Sequence, residues 1–362
     1  MASKADFTPE EWKLIVGAAP MVGLVVTCAS PNGPWGVMKE MLSRSPFLEV
    51  VGTARDGADA IDAVERLKPD VVTCDLIMPG TDGVEFIQQQ MARQPVPIVI
   101  VSIAAEASER VLTGLDAGAV DFVQKPTALA TDRMLDIADD LVAKVKAAAA
   151  APVVRLRPAA VAAAAPLRRT FANRYDVVVI GVSTGGPQGL KAVIPRLPPD
   201  FPVPVAIVLH MPVGYTEAYA RRLDEASALT VVEAGEGDEV RPGVVFVAPA
   251  GRHLTFRRDA AGVVRTWLDV SPLDTPHKPS VDALFQSAAE VYGERVLGVV
   301  MTGMGDDGRA GAAWIKARNG SVLTESEESC VVYGMPRSVV EAGLSDESVP
   351  LERLAEAIAE RI

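Results

Sequence analysis

The chain has 362 residues, a net charge of −12 at neutral pH, 49% hydrophobic residues and 23% charged ones, which is enough for two domains that each bury a core. The acidic balance argues against a general binder of nucleic acid or of anionic membranes, both of which call for a basic face. No apolar run is long enough to span a bilayer, and the start MASKADFTPEEWK lacks the features of a signal peptide.

Residues 1–20 read as a short amphipathic extension bearing Phe7, Trp12, Leu14 and Ile15. From Met21 to Thr127 the pattern is strand then helix, five times. The predicted strands are Val22–Val26, Leu48–Ala54, Asp70–Cys74, Pro97–Val101 and Val120–Val123. That rhythm predicts a doubly wound parallel sheet with any site at the C-terminal ends of its strands. Asp75, Ser102 and Lys125 each follow such an end. A carboxylate, a hydroxyl and an ammonium gathered there suit transient phosphorylation of the carboxylate.

The segments PDVVTCDLIMPGTDGVEFI, IVIVS and GAVDFVQKP resemble the receiver domain of two-component response regulators. The resemblance implies that Asp75 is the phosphoacceptor, Ser102 the switch hydroxyl and Lys125 the partner of the phosphoryl group, with a cis bond between Lys125 and Pro126. One departure bears on the chemistry. Receivers carry two acids at the end of the first strand to hold magnesium, and here Thr27 and Cys28 stand in those positions. Mg²⁺ prefers hard carboxylate ligands, and crowded negative charge at a phosphorylated aspartate needs a cation. Asp56 and Asp82 fall where receivers have acids away from the metal. The expectation is that Mg²⁺-dependent phosphorylation of Asp75 is weak or absent; the rival is a weaker site built from Asp75 and water. Cys28 and Cys74 fall on strands expected to be neighbours and read as packing thiols rather than a redox pair.

Residues 128–173 begin as a helix, Leu129–Ala149, and end as an Ala/Pro/Arg-rich linker. Its Arg155, Arg157, Arg168 and Arg169 are read as a solvated basic strip. From residue 174 to 362 the strand–helix rhythm resumes. A valine-rich strand, Val177–Ile180, breaks into Gly181-Val182-Ser183-Thr184-Gly185-Gly186-Pro187 and then a helix. Taken alone, this turn fits a nucleophile in a glycine-walled loop or a phosphate-binding loop about equally. The chain has three histidines. His210 directly follows the strand Val203–Leu209, His253 lies in a loop beside Arg252, and His277 lies in the polar connection DTPHKPSVD. The strand Val296–Met301 runs into Thr302-Gly303-Met304-Gly305-Asp306-Asp307-Gly308.

A serine, a histidine and a pair of aspartates thus each follow a predicted parallel strand, which favours nucleophilic catalysis over nucleotide binding. The order Ser, His, Asp differs from the Ser, Asp, His of α/β-hydrolases, so the GxSxG spelling points to another fold. A nucleotide site would also want an acid after the next strand, where His210 stands instead.

The motifs VVVIGVSTGGPQGL, IVLHMPVGYTEAYARRL, VFVAPAGRHL, HKPSVDALFQS, VMTGMGDDGRAG and SCVVYGMPRSV resemble the catalytic domain of the CheB family, the chemotaxis protein-glutamate methylesterases that also deamidate receptor glutamines. The resemblance implies an α/β chain of two doubly wound parallel-sheet domains, a CheY-like receiver followed by a Rossmann-like methylesterase domain. It implies Ser183 as nucleophile, His210 as general base, Asp307 rather than Asp306 as orienting acid, and backbone N–H groups of Thr184 and Met304 as oxyanion hole. No cofactor or metal is expected for the hydrolysis. Expected partners are methylated chemoreceptors as substrate and the kinase CheA, in the cytoplasm, without membrane insertion. His277 is left between substrate contact and loop structure, and Cys330 is read as packing. The rival from another class is a non-catalytic chemosensory scaffold, which has no need of an intact Ser183, His210 and Asp307.

Overall fold

The structure is a computed structural model that describes residues 24–28, 35–78, 80–103, 108–125, 131–152, 174–272 and 275–362, of which 24–28, 35–37, 103 and 131–136 are described by main chain alone. The extension 1–20, the Lys125–Pro126 bond and the linker arginines lie outside the described residues.

In the first half β1 (Leu24–Cys28), α1 (Trp35–Ser43), β2 (Glu49–Ala54), α2 (Gly57–Leu67), β3 (Val71–Cys74), α3 (Gly83–Arg93), β4 (Ile98–Ile103), α4 (Ser108–Asp116) and β5 (Asp121–Lys125) alternate along the chain. The strands form a sheet in the order β2-β1-β3-β4-β5, with every pairing parallel. Helix starts are set locally. Asp56 caps α2 and Asp82 caps α3, each accepting a main-chain N–H at 2.9 Å. The next helix, α5 (Thr131–Ala149), buries Ala138, Leu141, Val145 and Ala148, an i, i+3, i+7 stripe, in the same core as β3, β4 and β5.

The second half holds β6 (Val177–Val182), α6 (Gly186–Val193), β7 (Val205–Leu209), α7 (Thr216–Ala226), β8 (Thr230–Glu233), β9 (Val244–Val247), β10 (His253–Arg258), β11 (Val264–Asp269), α8 (Val281–Tyr292), β12 (Val296–Val300), α9 (Arg309–Ala317), β13 (Ser321–Glu325), α10 (Met335–Glu341), β14 (Glu347–Val349) and α11 (Leu351–Arg361). Seven strands form a parallel sheet in the order β14-β13-β12-β6-β7-β9-β8, while β10 and β11 make a separate antiparallel hairpin. Strands β6, β7 and β12 are buried along their whole length, as continuous apolar runs covered on both faces must be. The chain proceeds from β6 to β7 on one side and returns through β12 on the other. The switch point of the sheet therefore lies at the ends of β6 and its two neighbours.

Several strand ends differ from the sequence expectation because ladders run past the apolar residues. Ser102 lies inside β4, which pairs through Ile103↔Lys125, and Lys125 is the last residue of β5. Thr27 and Cys28 belong to β1, in register with Thr73 and Cys74. At the start of β7 the reverse holds: Pro204 has no N–H to donate, so the strand opens at Val205 rather than Val203. His253, expected in a loop, opens β10 opposite Asp269. Among the described residues no helix is long and apolar enough to cross a membrane.

The two halves meet along α4 and β5 on one side and α6 and α7 on the other. Arg222 bonds Glu109 at 3.1 Å and Asp116 at 3.0 Å, Arg221 reaches Glu109, and Lys191 bonds Asp116 at 2.7 Å. Such exposed pairs contribute roughly 0.2–1 kcal/mol each. More specific is Gln188, whose Nε2 donates to the main-chain oxygens of Leu115 (3.1 Å) and Ala119 (2.7 Å). Phe122 packs on the buried ring of Tyr215, with centroids 4.6 Å apart.

One glycine sets the entry to α6. Gly185 has φ +79°, and a Cβ there would lie 2.7 Å from the Val331 side chain. Gly185→Ala is expected to lower unfolding stability by roughly 2–4 kcal/mol, combining left-handed strain with overpacking. Gly237→Ala, at φ +80° with open space around it, should cost only about 1–2 kcal/mol; urea denaturation of the two variants checks the difference.

Candidate active site

The ends of three neighbouring strands are stitched together by main chain. Val182 pairs with Leu209, and the next N–H, that of His210, donates to Val182 O at 3.1 Å. The N–H of Ser183 donates to Thr302 O at 3.0 Å, which ties the turn after β6 to the loop after β12. Ser183 and His210 are thereby set side by side at one edge of the sheet. Gly303 permits the close fit, since a Cβ on it would lie 2.8 Å from Ser183 Cβ and 2.4 Å from Met335 Sδ.

The loop that follows is held from several directions. Thr302 N–H donates to Glu325 Oε2 at 2.9 Å, and Glu325 is completely buried at the end of β13. Gly303 N–H donates to Val332 O, and Gly303 O accepts from Met335 N–H at 2.8 Å. The N–H groups of Thr184 and Met304 have no acceptor among the described residues.

Asp307 receives more bonds than any other carboxylate of the site. Its Oδ2 lies 2.9 Å from His210 Nε2 and accepts from Val281 N–H at 2.8 Å, while Oδ1 accepts from Asp282 N–H at 2.9 Å and Ser280 Oγ at 3.0 Å. These donors are the first turn of α8 and its capping serine, so the carboxylate sits on the positive end of a helix. Burial alone would raise its pKa. The bond and charge of His210 and the two main-chain N–H groups outweigh that and hold it down to about 2. Asp282 returns the arrangement, accepting from Gly308 N–H (2.9 Å) and Gly311 N–H (2.6 Å) at the start of α9. Its own pKa is raised, chiefly by burial and also by the charge of Asp307. Asp306 points elsewhere and pairs with Arg309 at 2.8 Å.

The side chains of His210 and Asp307 are each 9% exposed. With Nε2 committed to the carboxylate, Nδ1 of His210 is buried and has no hydrogen-bond partner among the described residues. The ring is thus used the other way round from the chymotrypsin arrangement, in which Nδ1 faces the acid. His277 lies at the rim with its ring stacked on His210, centroids 4.2 Å apart and planes at 23°. Burial of its inner face and the neighbouring His210 hold its pKa below the usual imidazole range.

Two groups from the first half reach this site. Asp121 Oδ2, at the start of β5, accepts from Thr184 Oγ1 at 2.5 Å in a buried contact. Lys144 on α5 lies 3.5 Å from Asp121 Oδ1, and its charge acts on His277.

In the receiver half, Asp75 and Lys125 are both buried and paired at 2.5 Å, and Asp75 Oδ1 accepts from Ile77 N–H at 3.1 Å. Ser102 is fully buried. The donor set around Asp75 does not fit a magnesium ion. The register puts Thr27 and Cys28 at the end of β1, while Asp56 and Asp82 cap helices and Asp82 also pairs with Arg110 at 2.9 Å. Cys74 and Cys330 are completely buried, each with its thiol near a main-chain oxygen.

The sequence reading brought Ser183, His210 and Asp307 together and missed their supports. Ser280 had a usable signal, a serine directly before the apolar helical run VDALFQSAAEV. Glu325 gave none, because it simply closes a strand.

A parallel-sheet receiver fold in front of a second parallel-sheet domain with a Ser, His and Asp at its switch point defines a receiver-linked hydrolase. Comparison with known proteins gives the family. The model described as CheB methylesterase matches residues 178–358, and that of the response regulator receiver domain matches residues 35–138. The chain is 52% identical over 321 residues to protein-glutamate methylesterase/protein-glutamine glutaminase 5 of Myxococcus xanthus, covering 87% of this chain and 91% of that protein. It is 46% identical over 342 residues to a protein-glutamate methylesterase/protein-glutamine glutaminase of Symbiobacterium thermophilum, covering 90% and 93%. The crystal structure of the Thermotoga maritima CheB methylesterase catalytic domain superposes with a TM-score of 0.51 at 44% identity, covering 52% of this chain and 99% of that one. The chain belongs to the CheB methylesterase family.

The cradle around Asp307 has a measurable pH signature. Its folded pKa of about 2 lies below the ordinary 3.8, so the unfolded chain binds the extra proton between those values. The stabilisation is complete above pH ~4 and is lost as pH falls towards 2, amounting to about 2 kcal/mol in all. Asp307→Asn should be less stable than the parent at pH 6, and the gap should narrow by about 1 kcal/mol at pH 3 in urea unfolding.

Proposed function

We propose that this protein is a cytoplasmic chemosensory methylesterase that hydrolyses glutamyl methyl esters on chemoreceptors to glutamate and methanol, and also deamidates receptor glutamines. The observation that carries this reading is the His210–Asp307 bond at 2.9 Å, which leaves the other ring nitrogen unpartnered at the sheet edge shared with Ser183. Asp307 fixes the tautomer by accepting the Nε2 proton. Nδ1 then holds the lone pair that takes the Ser183 hydroxyl proton as Oγ attacks the ester carbonyl. The tetrahedral oxyanion is received by the N–H groups of Thr184 and Met304; one such donor is worth on the order of 3 kcal/mol. The Nδ1 proton passes to the departing methoxide, giving methanol and an acyl-Ser183. Water, deprotonated by Nδ1, releases glutamate and regenerates the serine. A glutamine amide follows the same path and releases ammonia. Every step is assigned to side chains and main-chain groups of this chain.

The receiver half acts as a brake in this reading. Its Asp121 engages Thr184, next to the nucleophile and itself an oxyanion donor, and Lys144 holds Asp121 at 3.5 Å. CheA is the candidate kinase. With Thr27 and Cys28 in place of the acid pair, Mg²⁺-dependent phosphorylation of Asp75 is degraded, and release of the brake depends on something else, such as a partner protein.

Methanol release from methylated receptor membranes tests the activity. Ser183→Ala should reduce it at least about 10³-fold, and an unreduced rate would overturn the assignment. A fragment starting at Arg174 should outpace the full chain, and Asp121→Asn should move the full chain towards the fragment's rate. A small phosphodonor with Mg²⁺ should leave the full chain unchanged; a rise to the fragment's rate would show a working phosphosite.

A further inference from the structure

Two of the three histidines, His277 at the rim and His253, have no step in the mechanism. His253 is completely buried, and both of its ring nitrogens meet polar groups there. Its Nδ1 accepts the main-chain N–H of Ser280 at 3.1 Å. A main-chain N–H can only donate, so Nδ1 must be unprotonated and the proton of the neutral ring must sit on Nε2. There it faces Pro272 O at 3.3 Å and Thr275 Oγ1 at 3.2 Å. Ser280 is the cap of α8, and its Oγ donates to Asp307 Oδ1 at 3.0 Å, with the N–H groups of Val281 and Asp282 completing the cradle.

We infer that His253 is a positioning residue for hydrolysis, which acts through Ser280 to fix the first turn of α8 and with it the Asp307 carboxylate against His210. A helix N-terminus needs its cap held in an extended conformation. Ser280 has φ −107° and ψ 136°, and its N–H points away from the helix, where it would be an unpaired buried donor without His253. A shift of that cap is passed to all three α8 donors on Asp307, because they are consecutive residues. Lys278, Asp307 and Asp269 are the charged groups that act on the His253 ring.

The inference rests on the mechanism proposed above, and its test separates the two. The full chain carries three histidines, so ¹⁵N-imidazole labelling gives three ring systems. The tautomer of His253 and the Nε2–H resonance of His210 can be followed without substrate. His253→Asn keeps an acceptor where Nδ1 stands, whereas His253→Gln moves it out to the position of Nε2. In the parent, His253 should appear as the Nε2–H tautomer. His253→Gln should move the His210 Nε2–H resonance upfield, since its hydrogen bond to the Asp307 carboxylate lengthens, and His253→Asn should restore it. The rate at which a fluorophosphonate labels Ser183 should fall roughly tenfold or more with Gln and recover with Asn. Ser280→Ala cuts the same chain one link further on and should shift that resonance in the same direction, which serves if the Gln variant does not fold. A His253 proton on Nδ1, equal behaviour of Asn and Gln, or an unmoved His210 Nε2–H resonance in Gln and in Ser280→Ala would overturn the inference. Failure of the parent to label at Ser183, with the histidine shifts as expected, would instead count against the proposed function.

Discussion

A parallel sheet brings all its strands to the same edge, and this chain extends that edge by one residue. The N–H of His210 bonds to Val182 O and the N–H of Ser183 bonds to Thr302 O. Those two main-chain bonds make the neighbourhood of serine, histidine and β12 loop a property of the sheet rather than of flexible side chains. The rest of the site elaborates that constraint. Gly303 has no Cβ because the β12 loop passes too close to Ser183 for one. Buried Glu325 anchors the beginning of the loop, and the helix that follows β11 supplies a positive end for Asp307.

Much of this was legible in the sequence where the signal was local. Runs such as VVVIGV and VAIVL announce buried parallel strands, and whatever follows them must stand at the sheet edge, which is how Ser183, His210 and Asp307 declared themselves. Strand limits were less legible because a ladder is set by its partner: Ser102 stays in β4 since Ile103 pairs with Lys125. His253 was read as a loop residue beside Arg252, yet pairing with β11 makes it the start of a strand. Nothing in its local pattern tells that Ser280, 27 residues on, donates to it. The meeting of Asp121 with Thr184 was equally invisible, as it depends on how two separately patterned sheets pack.

The two halves distribute polar contacts differently. Around the edge of their interface lie exposed pairs such as Lys191–Asp116, whose attraction is modest in water and weakens further as salt is added. At its centre lie Gln188, spanning two carbonyls, and the buried Asp121–Thr184 bond. Centre contacts cannot be exchanged for water without fully opening the interface, and so they set register where the rim adds modest attraction. On the far side of β5, Lys125 already satisfies Asp75. The same short strand therefore connects the receiver's buried ion pair at its last residue to the Ser183–Thr184 turn at its first.

The orientation of the His210 ring has a chemical consequence for covalent ligands. In chymotrypsin-like enzymes an electrophile that follows the substrate's path meets Nε2, the nitrogen turned towards the serine. Here Nε2 is occupied by Asp307 and the lone pair of Nδ1 is left over. Under the mechanism proposed above, a haloketone that enters this site meets Nδ1 and gives the π-alkylated histidine, an isomer distinct from the τ-alkylated product of the chymotrypsin arrangement. By that same mechanism, warheads shaped for the reach to Nε2 fit this site poorly, and selectivity follows from which side of one imidazole is turned away from its carboxylate.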